Sequence, residues 1–272
     1  MGKITQHPIS NNQKNFVLRR LIAALVLFIG TGLLVIFTNF PSSAVLNQSY
    51  KCRDIPCNVS TNYSLGKTFI QKAHPLPPTL AQWEDKTNSG DYFSQVTSTQ
   101  VGYFVWSQFP IRVKVETPKA ISDKQAQAWV NSVLQAVQEW SVYLPLVVVE
   151  QPEVADITIV RKAPPLQLSP DGKKPRARSA QTTYELYINN NILKHRFTIL
   201  LSPSQTGEYL LAAARHELGH ALGIWGHSQL QTDALYFSQV RKPPSISVRD
   251  VNTLKRVYEQ STSLGWSVSA IK

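Results

Sequence analysis

The chain has 272 residues, 43% of them hydrophobic, and 28 Lys and Arg against 17 Asp and Glu give it a net charge of +11. That length holds one large domain or two small ones, and the apolar content suffices for a packed core. The basic excess does not read as a nucleic-acid surface, because aromatic residues are not interleaved with the charge clusters as a stacking surface requires.

The charge is local. Residues 1–50 carry Lys3, Lys14, Arg19 and Arg20 and no acid. Residues 1–16 form a basic tail, and the uncharged run from Leu21 to Phe37 sits inside a segment, 17–40, long enough to cross a bilayer of about 30 Å as a helix. With its positive flank N-terminal, this segment predicts a single-pass protein with a cytoplasmic N-terminus and everything after Phe40 outside. A cleaved signal peptide is the rival, with Ser42 and Ala44 at small-residue cleavage positions and a secreted product. The run is longer than the usual hydrophobic region of such a peptide, which favours the anchor.

Residues 41–105 read as a stalk or pro-region. Cys52 and Cys57 predict a small-loop disulfide outside the cytoplasm. The aromatics Trp83, Tyr92, Phe93 and Tyr103 are too many for a disordered tether, so part of this segment should pack on the domain. His74, among prolines, reads as a loop residue.

A domain is expected over 106–272. Phe109 to Glu116 alternates apolar and polar, the period of a half-buried strand. Ser122 and Asp123 open a helix with apolar Ala126, Trp129, Val133, Val137 and Trp140. Val147–Glu150 and Asp156–Val160 read as two further strands, so the long helix becomes a crossover over a twisted sheet. Residues 161–178 hold six basic residues against Asp171, a cluster that suits an anionic membrane or, given its four prolines, a solvated loop. Tyr184–Ile188 and Arg196–Leu201 predict a hairpin across Asn189, Asn190 and Asn191, with His195 at the surface. Ser202-Pro203-Ser204-Gln205 predicts the start of a helix running to Leu222. Ser247-Val248-Arg249-Asp250 predicts the capped start of a last helix. The fold class is α+β.

The stretch His216 to His227 carries the chemistry. One helical turn apart, His216 and His220 sit about 5–6 Å apart at Cβ and can share one zinc ion. Glu217 stands beside them, able to act as a base on water without ligating. Gly223 suits a helix C-cap, after which the chain can return His227 as a third ligand. Three protein ligands leave a fourth position open, as a catalytic zinc requires. Glu259 is the alternative third ligand.

This pattern resembles the matrixin-like metzincin zinc metallopeptidases. Their motif, H-E-x-x-H-x-x-G-x-x-H, has its third histidine where this chain has Gly226; here one residue is inserted and the histidine is His227. The likeness spans roughly residues 106–261. It implies an edge strand within 176–188 that pairs with extended substrate. It also implies a tight turn beneath the metal, where Leu235 replaces the family's methionine, followed by Tyr236 lining the substrate cleft. A cysteine latency switch, known from matrixin propeptides, is a further reading of Cys52 and Cys57, although the residues around Cys52 do not match the family's switch motif. Calcium occurs in the family but has no residue set to support it here.

The reading is a membrane-anchored zinc endopeptidase acting on extracytoplasmic proteins, with Glu217 as general base and activity falling below about pH 6 as the ligands protonate. The rival is a zinc-stabilised, catalytically silent binding or scaffold protein at the membrane surface. The partners expected are a protein or peptide substrate and, through 17–40, the bilayer.

Overall fold

The structure, a computed structural model, describes residues 51–52, 55–56, 67–68, 70–168 and 175–270. The expected tail 1–16, the segment 17–40 and Cys57 lie outside the described residues, and so therefore does the pairing of the two cysteines. Cys52 belongs to a two-residue ladder, Lys51–Cys52 against Ile55–Pro56. Among the described residues no helix is long and apolar enough to cross a membrane.

A five-stranded sheet organises the rest. Its strands are β1 (Ile111–Val115), β2 (Leu146–Val148), β3 (Ile157–Arg161), β4 (Ala180–Asn189) and β5 (Ile192–Leu201). The order across the sheet is β2-β1-β3-β5-β4, parallel except for the antiparallel pair β5/β4. Strict alternation in β1 turns Ile111, Val113 and Val115 inward. The β4–β5 hairpin turns on Asn190 and Asn191, both with positive φ (49° and 62°), as a two-residue primed turn demands. Each strand of the hairpin is ten residues long, well beyond the predicted cores. The extension includes the polar run Gln181-Thr182, both buried, with Thr182 turned to the helix Gly207–Leu222, where its Oγ1 donates to Glu217.

Among the described residues, four helices complete an α+β arrangement: α1 (Pro78–Ala81), α2 (Asp123–Ser141), α3 (Gly207–Leu222) and α4 (Val248–Tyr258). Helix α2 joins the parallel strands β1 and β2, as the predicted crossover should, and starts in a full capping box between Ser122 and Gln125. Helix α3 packs against α2 and against the hairpin strands β4 and β5. It begins at Gly207, five residues after Ser202, because Ser202 to Thr206 form a turn in which Ser204 N–H donates to Ser202 Oγ. Its last six residues are all buried. Three residues hold the end of α3: Trp106 Nε1 donates to the Ala221 carbonyl (2.9 Å), Tyr258 Oη to the Leu222 carbonyl (3.0 Å), and Gly223 turns the chain with φ +133°. A Cβ at Gly223 would lie 2.6 Å from the Phe104 carbonyl oxygen, so only glycine fits.

Residues 70–105 belong to the same core, so the expected boundary at 105/106 does not separate two packed units. Leu80, Tyr92, Val96, Val101, Phe104 and Val105 are buried in it. Trp83 Nε1 donates to Asn252 on α4 (2.9 Å), and Val96 bridges Gly226. His74 is in a loop as expected, its ring stacked on Trp266 and its Nε2 2.7 Å from the Leu264 carbonyl. His195 is not at the surface. It is buried among Phe104, Trp106 and Phe197, because β5 turns Leu193, His195, Phe197, Ile199 and Leu201 to the helices while Lys194 and Arg196 take the other face.

Candidate metal centre and cleft

The sequence motif folds as a helix, a glycine turn and a return. His216 and His220 project from the last two turns of α3, and residues 224–227 bring His227 back against both. The ring centroids are 4.7 Å apart for His216 and His220, 5.1 Å for His216 and His227, and 4.8 Å for His220 and His227. One nitrogen from each ring falls within 4.8 Å of the others, so the three imidazoles can hold a metal ion. Glu259 is not part of this group: it ends α4 as an exposed residue.

Two of the rings are held from behind. His216 Nδ1 donates to the Ala234 carbonyl at 2.9 Å, and His220 Nδ1 to the Ile224 carbonyl at 2.7 Å. A carbonyl can only accept, so each Nδ1 carries the proton and each Nε2 of the neutral ring presents a lone pair. Those two Nε2 atoms are 3.0 Å apart. Two lone pairs that close repel unless a proton or a metal cation lies between them, and three convergent imidazole nitrogens suit a divalent transition metal. Burial also lowers the affinity of His220 and His227 for protons, His227 to about 3, which keeps both in the ligating form.

The extra residue of the motif has a packing role. At Gly226 the chain crosses residues 95–97, and Thr97 N–H donates to the Trp225 carbonyl at 2.9 Å. A Cβ on Gly226 would collide with the Gln95 carbonyl. Leu235 is buried against α3 at Gly219, where a Cβ would meet its Cδ2 at 2.6 Å, so it supplies an apolar floor between the two helical histidines. The turn carrying Leu235 closes on itself through Ser228 N–H to the Leu235 carbonyl (2.8 Å). Buried carboxylates hold it. Asp250 accepts from the N–H groups of Ala234 and Leu235 (2.8 and 3.3 Å) and from Tyr92 Oη, and Asp233 accepts from Ser228, Ser247 and Arg249.

Glu217 is buried, and its Oε2 accepts from Thr182 Oγ1 at 2.6 Å. Burial raises its affinity for a proton; His216, the Thr182 hydrogen bond and Arg178 oppose that rise. Thr182 lies on β4, whose far side pairs with no strand of the sheet. The predicted edge strand within 176–188 is thus present, and it borders a cleft of about 470 Å³. Residues 176–180 and Thr182 form one wall, Tyr236 to Val240 with Pro243 and Pro244 the other, and His216, Glu217, His220 and His227 lie between them. Tyr236 therefore lines the cleft, as expected.

Local sequence signals could not find Thr182, Arg178 or Arg215. Thr182 meets Glu217 only across a tertiary contact, and Arg178 was one charge among several in a basic loop. Arg215 is buried in a two-pronged pair with Glu139 of α2 and donates to the Pro244 carbonyl at 2.6 Å, which fixes the second cleft wall to α3. Asp250 was legible only as a helix cap. The chain matches no known family model and no curated protein.

Proposed function

We propose that the protein is a zinc-dependent endopeptidase of metzincin type, with His216, His220 and His227 as ligands and Glu217 as general base. The observation that carries this reading is the placement of a buried carboxylate next to three convergent imidazoles, at the floor of a cleft with an open strand edge as one wall. A zinc ion bound there supplies Lewis acidity toward a carbonyl and toward water. The edge of β4 offers backbone hydrogen bonds to an extended peptide and so aligns the scissile bond over the histidines. Glu217, oriented by Thr182, takes a proton from the attacking water and returns it to the leaving amine. Tyr236 and Phe237 contact the peptide on the opposite wall. The resemblance of residues 106–261 supports the same assignment; Leu235 departs from the family's methionine but supplies an apolar floor in its place. An anchor through 17–40 would set this activity outside the cytoplasmic membrane.

A catalytically silent metal scaffold fits less well. A purely structural site needs neither a base beside the metal nor an open cleft above it. The test is cleavage of denatured protein by the zinc-loaded full chain, wild type against Glu217→Gln. A loss of about 10²–10⁴ in rate at unchanged metal content supports the endopeptidase. Equal cleavage by the two removes it.

A further inference from the structure

Residues 89–97 meet both segments that place the candidate metal ligands. At one end, Arg249 of α4 donates to the carbonyls of Ser89 (3.0 Å) and Asp91 (3.1 Å), and its Nε donates to Asp233 (3.1 Å) in the turn that carries Leu235. Tyr92 is buried beside it. Its N–H donates to Thr253 Oγ1 (3.0 Å), and its Oη donates to Asp250, the carboxylate that accepts from Ala234 and Leu235 behind His216. At the other end, Val96 pairs with Gly226, and Thr97 N–H donates to the Trp225 carbonyl at 2.9 Å. The Gln95 carbonyl fills the space that Gly226 leaves next to His227. Among the described residues, none from 70 to 105 lines the cleft.

Resting on the metal-site reading, we infer that residues 89–97 are a positioning strap of the metal centre, and that the chain from residue 70 onward is a permanent part of the domain, not a removable pro-region. A pro-region inhibits by covering the cleft or its metal, and it leaves without unmaking the site. This segment stays out of the cleft and is built into what supports the ligands. Its loss takes away the phenol that holds Asp250, two carbonyls from Arg249, and the backbone pairing just before His227. Leu80, Val101 and Phe104, fully buried in the shared core, go with it. A buried carboxylate or guanidinium that loses partners holds the remaining ones less rigidly. Imidazoles whose supports loosen bind metal more weakly.

The experiment uses the full chain, loaded with zinc or with cobalt, whose absorption bands report ligand geometry. Tyr92→Phe keeps the ring in the core and removes only the hydroxyl. Zinc affinity, measured by chelator competition, should fall about tenfold, the lower end of what support behind a ligand contributes, and the cobalt bands should shift. Trp83→Phe is the control, because Trp83 ties the same segment to α4 by bonding to Asn252 instead of to Asp250. It should cost stability and leave affinity and bands unchanged. Wild-type affinity and bands in Tyr92→Phe, or equal changes in the two variants, overturn the inference. A second arm inserts a specific protease site at exposed Gln100 and cuts the loaded chain there. The two pieces should elute together with metal bound. A fragment 1–100 that leaves while the remainder keeps its metal overturns the inference as well. A wild type that binds no zinc removes the metal site and the strap together. An unchanged Tyr92→Phe on a zinc-binding wild type removes the strap alone, and zinc binding without peptide cleavage keeps the strap and removes the peptidase.

Discussion

Asp250 accepts a hydrogen bond from the backbone N–H of Ala234 at 2.8 Å, and the carbonyl of the same Ala234 accepts from His216 Nδ1 at 2.9 Å. A carboxylate in the first turn of the last helix thereby sets the orientation of a candidate metal-ligand imidazole through one peptide group. Asp250→Asn keeps the shape but weakens both acceptor roles. Metal affinity should drop by about 10–100-fold, the usual cost of losing support behind a ligand. Chelator competition measures it. An unchanged affinity would mean that the turn is held by Asp233 and packing alone.

His227 and Glu259 part cleanly. His227→Ala should lower metal affinity by more than the roughly hundredfold expected for a supporting residue, since a direct donor is lost. Glu259→Ala should leave metal content at the wild-type level, because Glu259 is exposed at the end of α4. Metal analysis after dialysis decides, and full retention in His227→Ala would remove it as a ligand.

His195 predicts a pH dependence of stability away from the metal centre. Burial lowers its pKa from 6.5 to about 3. The folded state therefore stays unprotonated while the unfolded state takes up a proton below pH 6.5. Stability from this group is complete above 6.5 and is lost as pH falls toward 3, by about 1.4 kcal/mol per pH unit. In denaturant titrations the wild type should lose this much more per unit than His195→Leu between about pH 4 and pH 6. Parallel pH profiles for the two proteins would show that the ring is not held neutral.

Gly226 and Gly219 are fixed by what approaches them. Gly226→Ala drives a methyl into the Gln95 carbonyl, and backbone cannot yield cheaply. A loss of about 2–4 kcal/mol in unfolding free energy is expected, with weakened metal binding because His227 is next in sequence. Gly219→Ala meets the side-chain tips of Leu235 and Trp140, which can shift, so its cost should be smaller, about 1–2 kcal/mol. Thermal unfolding of both variants, with and without zinc, gives the ranking. The reverse order would contradict the packing described.

Much of the fold was legible wherever a local rule was sufficient. The alternation of β1, the capping boxes at Ser122 and Ser247, and the asparagine hairpin all appear where the sequence puts them, because each depends on residues within a few positions of one another. Where burial came from distant elements, the reading fell short. His195 looked like a surface position on a hairpin until aromatic residues from 104, 106 and 197 closed over it. Residues 180–183 lay within the stretch 176–188 expected to hold an edge strand, but no local signal showed that Thr182 meets Glu217 of α3.

For the candidate site the division is sharper. Helical spacing by itself puts His216 and His220 on one face with Glu217 beside them, because 3.6 residues per turn leave little freedom. Only the tertiary structure decided that His227, not Glu259, joins them. That choice depends on the turn at Gly223, on the space Gly226 leaves for the Gln95 carbonyl, and on a loop anchored by Asp233 and Asp250. A third donor beyond the helix is positioned by the contacts that fold the chain back, and those contacts come from residues 95, 104, 233 and 250, too far away in sequence for spacing to foretell.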